Sequence, residues 1–182
     1  SIIARKVRRS DVDVLYMPLT DIAAEQGLTA GANAVLLGGL METLAWNRNR
    51  GLDSVHIFET GNIYFWEESG CRERLTLGFL SAGAREEPYW QEKSREAGFF
   101  QVKGAVEALL KQLRYEPFSF ETESHAFFEP GYSLALVYRE SKIGYLGLVR
   151  KAILAGFSVK QDVYAAELNL ELLFAKQPRP FA

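Results

Sequence analysis

Three stretches of the chain place apolar side chains at every second position, and that period restricts the fold more than any other feature. Leu75, Leu77 and Phe79 alternate with Thr76 and Gly78. Tyr132, Leu134, Leu136 and Tyr138 form a second series, and Leu168, Leu170 and Leu172 enclose Asn169 and Glu171. Successive side chains on a strand point to opposite faces, so the pattern predicts strands with one covered face, as antiparallel sheets have. The stretches "ESGCRE" at 68–73 and "YRESKIG" at 138–144 read as hairpin connections.

Two segments carry the helical period instead. In "AVLLGGLMETLAWNRN" (34–49), Leu36, Leu37, Leu40, Met41 and Leu44 recur at intervals of three and four, and Gly51 follows as a C′ stop. Gly38 and Gly39 each cost about 1 kcal/mol against alanine inside a helix, which points to a close neighbour on that side. In "FFQVKGAVEALLKQL" (99–113), Val102, Val106, Leu109, Leu110 and Leu113 share one face. Lys103, Glu107 and Lys111 lie opposite, with Glu107 and Lys111 as an i,i+4 pair. Two helices among five or more strands, without a repeating βαβ pattern, predict an α+β fold.

At 182 residues with 48% apolar content, the chain suits one domain with a sizeable core. Residues 1–175 are assigned to that domain. Residues 176–182, with Pro178 and Pro180, read as a linker towards an absent C-terminal domain. The chain opens on Ser1, as a processed chain or a piece of a longer one does. A net charge of −2 is no nucleic-acid signature. The basic cluster Arg5, Lys6, Arg8 and Arg9 reads as solvated surface, as do Glu116, Glu121, Glu123 and Glu129. The single cysteine, Cys71, excludes an internal disulfide and favours a reducing, cytosolic home. No apolar run reaches the roughly 18 residues of a membrane span.

Signs of catalysis are few. His56 and His125 are far apart in sequence and outside any metal-binding spacing. Cys71, placed in a hairpin turn beside Arg72 and Arg74, has the cationic neighbours that lower a thiol pKa, but no partner in sequence. It supports only a remote hydrolase reading. There is no phosphate-binding glycine loop and no GxSxG elbow.

Several blocks, in order, resemble the β subunit of bacterial phenylalanyl-tRNA synthetase. They are "PLT" at 18–20, "LLGGLMETLAWNRNRG" at 36–51, "IFETGNIYF" at 57–65, "FFQVKGAVEALLKQL" at 99–113, "PGYS" at 130–133, "KIGYLG" at 142–147 and "VYAAELNLELL" at 163–173. The resemblance implies the catalytic-like module of that subunit, with the fold of a class II aminoacyl-tRNA synthetase catalytic domain: an antiparallel sheet flanked by helices. It implies a non-catalytic scaffold in a cytoplasmic α2β2 ligase. The partners would be the α subunit and other β-subunit domains, with tRNA engaged only through the full assembly and no membrane contact. ATP and magnesium belong to the full enzyme, and no cofactor to this module.

The same resemblance marks four degenerate positions. Class II sites hold ATP with an arginine in an E-x-G-x-x-F-R-x-E unit. Here Glu59, Gly61 and Glu67 stand with Phe65 at the arginine position. A second unit, G-x-G-x-E-R, aligns on Glu167, Asn169, Glu171 and Leu172, so its glycines and its arginine are lost. A phenyl ring cannot neutralise a phosphate, and losing one such donor costs about 2.7–4 kcal/mol of transition-state stabilisation. Catalytic residues are therefore expected to be absent. Further departures from the family pattern are Asn33, Ala34 and Val35 before the first helix, Glu129 ahead of Pro130 and Gly131, and Arg150 and Lys151 after "GLV".

The surface facing a partner is expected among Trp46, Asn47, Arg48, Arg50, Trp66 and Trp90, because aromatics and arginine dominate interface energetics. An alternative is a free-standing module binding a nucleotide, an amino acid or RNA, with the aromatics at 64–66 stacking on a base.

Overall fold

The computed structural model describes residues 34–67, 70–83 and 95–176. The "PLT" block, the basic N-terminal cluster, Asn33, Trp90 and residues 177–182 lie outside the described residues. In chain order the elements are α1 (Ala34–Arg48), β1 (Val55–Glu67), β2 (Gly70–Ala82), α2 (Arg95–Gln112), β3 (Phe118–Thr122), β4 (Phe128–Tyr138), β5 (Ser141–Val149), α3 (Lys151–Gly156), β6 (Val163–Asn169) and α4 (Leu170–Ala175). The strands form one sheet in the order β1-β2-β6-β5-β4-β3, with every neighbouring pair antiparallel. The α+β expectation holds, with four helices among the described residues rather than two. None of these helices is long and apolar enough to cross a membrane.

The last strand lies in the middle. β6 pairs with β2 on one side and β5 on the other, and six of its seven residues are buried. Its "VYAAEL" run leaves only alanine methyls at Ala165 and Ala166, so layers can approach from both sides. This corrects the expectation of one covered face. On one face α1 lays Leu37, Leu40, Met41 and Leu44 against Val55, Leu80, Ala82, Val163 and Ala165. On the other, Val102, Val106 and Leu110 of α2 meet Leu136, Leu146, Ala166 and Leu168, joined by Leu170 and Leu173 of α4. A leucine sealed this way stabilises the fold by about 1.5–3 kcal/mol.

The alternation in β2 therefore reads differently in three dimensions. Thr76 and Leu80 are fully buried under α1, whereas Leu75 is exposed and Leu77 and Phe79 are only partly covered. Gly78 permits that close approach, since a Cβ there would stand 3.0 Å from Leu40 Cδ1 and 3.1 Å from Leu36 Cδ2. Gly61 has the same neighbour, Leu36 Cδ1, at 3.2 Å. The helical Gly39, by contrast, faces no atom within 4 Å, so the expected close neighbour is not what its glycine serves.

Both hairpins form. Arg139 and Glu140, at φ 46° and 62°, make a two-residue turn between Tyr138 and Ser141, as a type I′ hairpin requires. β1 and β2 pair from Val55↔Ala82 to Glu67↔Gly70, which places Cys71 within β2 opposite Trp66 rather than in the turn. The α1 stop is as expected. Gly51, at φ 84°, donates to Arg48 O and Leu52 N donates to Asn47 O, which is a Schellman ending. α2 and α3 end on the same bond pattern, but with Arg114 (φ 63°) and Ser158 (φ 58°) in the glycine position. In α2, Glu107 pairs with Lys103 rather than Lys111, and Leu113 is exposed beyond the helix end. Lys103 also sits 4.4 Å over the Phe120 ring, so its packing against β3 selects that partner.

The alternation at Leu168, Leu170 and Leu172 misleads, because the strand stops at Asn169 and a helix begins at Leu170. Asn169 is the reason: its Oδ1 accepts from Leu172 N at 2.8 Å and caps α4. Asn169→Ala is expected to lower unfolding free energy by about 1 kcal/mol in urea denaturation, with Asn169→Ser retaining most of it.

Candidate functional site

Strand register carries one row of residues across the whole sheet. Glu59 on β1 faces Gly78 on β2, Gly78 faces Glu167 on β6, Glu167 faces Tyr145 on β5, Tyr145 faces Ala135 on β4, and Ala135 faces Glu121 on β3. Register partners share a face, and this is the face that α1 covers. The position matters because Glu59 and Glu167 belong to the two motif-like units of the sequence.

Glu167 is the central group. It is 8% exposed, and its Oε1 lies 3.6 Å from Nη2 of Arg74, four residues along β2 from Gly78. Its Oε2 is buried without a hydrogen-bond partner. Burial pushes its carboxyl up to about 8, and the Arg74 charge opposes that shift only in part. Burial also raises Glu59. Next to Glu167 in register, Gly78 is covered by Leu36 and Leu40 of α1.

A second polar group adjoins on the β5 side. The Tyr145 hydroxyl donates to Glu123 Oε1 at 3.5 Å, and Lys142 Nζ bridges the same carboxylate at 2.6 Å from Oε2. His125 stacks on Tyr145 at 4.5 Å between ring centroids, and its Nδ1 accepts from Phe127 N at 3.3 Å. Burial lowers the His125 pKa, with Glu123 acting the other way, and burial raises the Tyr145 hydroxyl. Sequence reasoning did not place Arg74, Tyr145, Lys142 or Glu123 at a site, because only the strand order brings them beside Glu167. The arrangement sets two carboxyl groups against cations, Glu167 against Arg74 and Glu123 against Lys142. Among the described residues, no three His, Cys, Asp or Glu side chains assemble as a metal site.

The other candidates are scattered. Phe65 occupies a β1 position opposite Arg72, and Trp66 lies opposite Cys71. Leu172 packs with the cluster on the α2 side of the sheet, away from Glu167. Glu129 Oε1 accepts from Lys151 N at 2.8 Å, and Arg150 Nε donates to Phe128 O at 2.9 Å, so both residues fasten α3 to the end of β4. At the end of α1, Trp46 is 47% exposed, with the Arg50 guanidinium 3.4 Å from its ring centroid. Asn47 Nδ2 donates to Thr43 O at 2.7 Å. Arg48 pairs with Asp53 at 2.9 Å and donates to the carbonyl of exposed Leu52. Trp46, Arg48, Arg50 and Leu52 thus form one pre-ordered patch.

Residues 32–170 match the family described as the phenylalanyl tRNA synthetase beta chain CLM domain. The chain is 32% identical over 140 residues to a phenylalanine–tRNA ligase beta subunit from Mannheimia succiniciproducens, covering 75% of this chain and 18% of that protein. It is 31% identical over 164 residues to the beta subunit from Coxiella burnetii, covering 88% and 21%. The chain therefore spans about a fifth of the length of these curated relatives. Among solved structures, a pyrrolysyl tRNA synthetase from Desulfitobacterium hafniense superposes with a TM-score of 0.60 at 18% identity, over 78% of this chain and 48% of that one. This likeness shows a class II synthetase-like fold.

The raised carboxyl of Glu167 gives the sheet a pH signature. The folded state holds this proton up to about pH 8, whereas an unfolded glutamate releases it near pH 4.5. The contribution to stability is full below the lower value and is lost as pH rises through the upper one. Thermal unfolding of the wild type is expected to fall in Tm between pH 5 and 8.5, and Glu167→Gln to remove most of that slope.

Proposed function

The chain belongs to the phenylalanyl-tRNA synthetase β-chain CLM family, and we propose that it serves as a non-catalytic scaffold module of the phenylalanine–tRNA ligase β subunit. Its role is to dock the α subunit and to hold the neighbouring β-subunit domains, supporting tRNA aminoacylation without performing it. The observation that carries this reading is Glu167 buried beside Arg74 under the α1 leucines, at a position where the family resemblance asks for a glycine that admits adenine. Preorganised positive charge is what phosphoryl and adenylyl chemistry demands. Here the nearest guanidinium is met by a carboxyl of the chain itself. ATP and magnesium are then matters for the α-subunit site.

The docking surface in this reading is the patch at the end of α1. Trp46 is held open by the stacked Arg50, and both are residue types that supply interface hot spots. Co-expression with the family's α subunit, followed by affinity capture, tests the role. Trp46→Ala combined with Arg50→Ala is expected to weaken capture roughly 30-fold, the equivalent of a hot-spot loss of about 2 kcal/mol. Pyrophosphate exchange into ATP by the purified chain alone, in the presence of phenylalanine, overturns the non-catalytic part.

A further inference from the structure

The last helix ends on a carbonyl that is held from another part of the domain. Arg139, in the β4–β5 turn, donates from Nη1 to the carbonyl oxygen of Lys176, the residue that closes α4, at 2.7 Å. We propose that Arg139 is a clamp that fixes the direction in which the chain leaves α4, and so positions the part of the protein that follows residue 176. This deepens the scaffold reading, and rests on it only in giving the module neighbouring domains to hold.

Three observations carry the inference. The buried anchors of α4 stop at Leu173, and Phe174 beyond them is 52% exposed. Among the described residues, the Arg139 contact is the only hydrogen bond or ion pair that joins residues 174–176 to another element. The second observation is the charge of the helix end. Asn169 caps the start of α4, but its last turn has no basic side chain of its own. The free carbonyls at a helix C-terminus favour a cation, and the hairpin supplies one from outside the helix. The third is the backbone of Arg139, at φ 46° in the first central position of a type I′ turn. Glycine, asparagine and aspartate fit that place, and an arginine does so at a steric cost. Its side chain has a use that the turn does not explain. The guanidinium carbon stands 5.2 Å from the ring centroid of the fully buried Tyr138, so a ring steadies the side chain that reaches Lys176.

Glycine suits the backbone of this turn, so Arg139→Gly removes the side chain and keeps the hairpin. The first measurement is amide hydrogen exchange of the whole chain, read over residues 170–176 and across β4 and β5. Arg139→Gly is expected to speed exchange in α4 roughly fivefold, the scale of one lost hydrogen bond. β4 and β5 are expected to stay as protected as in the wild type, with an unchanged urea midpoint. The second measurement is the distance between spin labels on Lys111→Cys and Lys176→Cys, near the ends of α2 and α4, with Cys71→Ser to remove the native thiol. Its distribution is expected to broaden in Arg139→Gly. Arg139→Asn, which also tolerates a left-handed backbone, is expected to repeat both effects. Exchange in α4 and a distance distribution that Arg139→Gly leaves unchanged overturn the proposal. So does equal loosening of α4, β4 and β5, because Arg139 would then act on the hairpin and not on the chain exit. No partner chain enters either measurement, so failure here leaves the scaffold reading to its own test.

Discussion

The sheet depends on β6, the last strand in sequence and a central one in space. Its hydrogen bonds to β2 and β5 join two local units, the β1–β2 hairpin and the β3–β4–β5 meander, which otherwise share little. A strand in that place must be buried on both faces, and "VYAAEL" satisfies the requirement with aliphatic and small residues. Glu167 is the exception in that run. A carboxyl in the middle of a doubly covered strand is kept neutral by its proton, which burial holds up to about pH 8, and Arg74 at 3.6 Å opposes that shift only in part.

That constraint shaped what was legible in the sequence. Period two located β2 and β4 but reached only the last two residues of β6, and period three to four located α1 and α2, because local geometry imposes those repeats directly. Which face would be covered was not legible. Leu75, Leu77 and Phe79 looked like the inner series of β2, yet Thr76, Gly78 and Leu80 are the more deeply buried set, since α1 seats its leucines over a glycine. The Leu168–Leu172 alternation crossed a strand–helix boundary that one asparagine side chain enforces. Family resemblance supplied the positions of interest, including Glu167 and Asn169, but not their physical roles. One is a buried partner of Arg74 and the other a helix cap.

The site residues that sequence could not supply share a reason. Arg74, Tyr145, Glu123 and Lys142 lie on two strands, β2 and β5, and on the β3–β4 connection, and only the order β2-β6-β5-β4 brings them together. Replacements that looked like losses against the family pattern have structural duties of their own. Glu129 and Arg150 tie α3 to β4 through backbone groups, and so stabilise the edge of the fold that no nucleotide motif requires.

The helix endings carry a different consequence. Gly51 closes α1 at no steric cost, while Arg114 and Ser158 close α2 and α3 in the same left-handed geometry with a Cβ in the way, at about 1 kcal/mol each. Natural chains keep such slack because selection stops at adequacy. The molecule consequently has headroom for hardening at two loops remote from its interior charges, a practical foothold for anyone who needs a sturdier version of it.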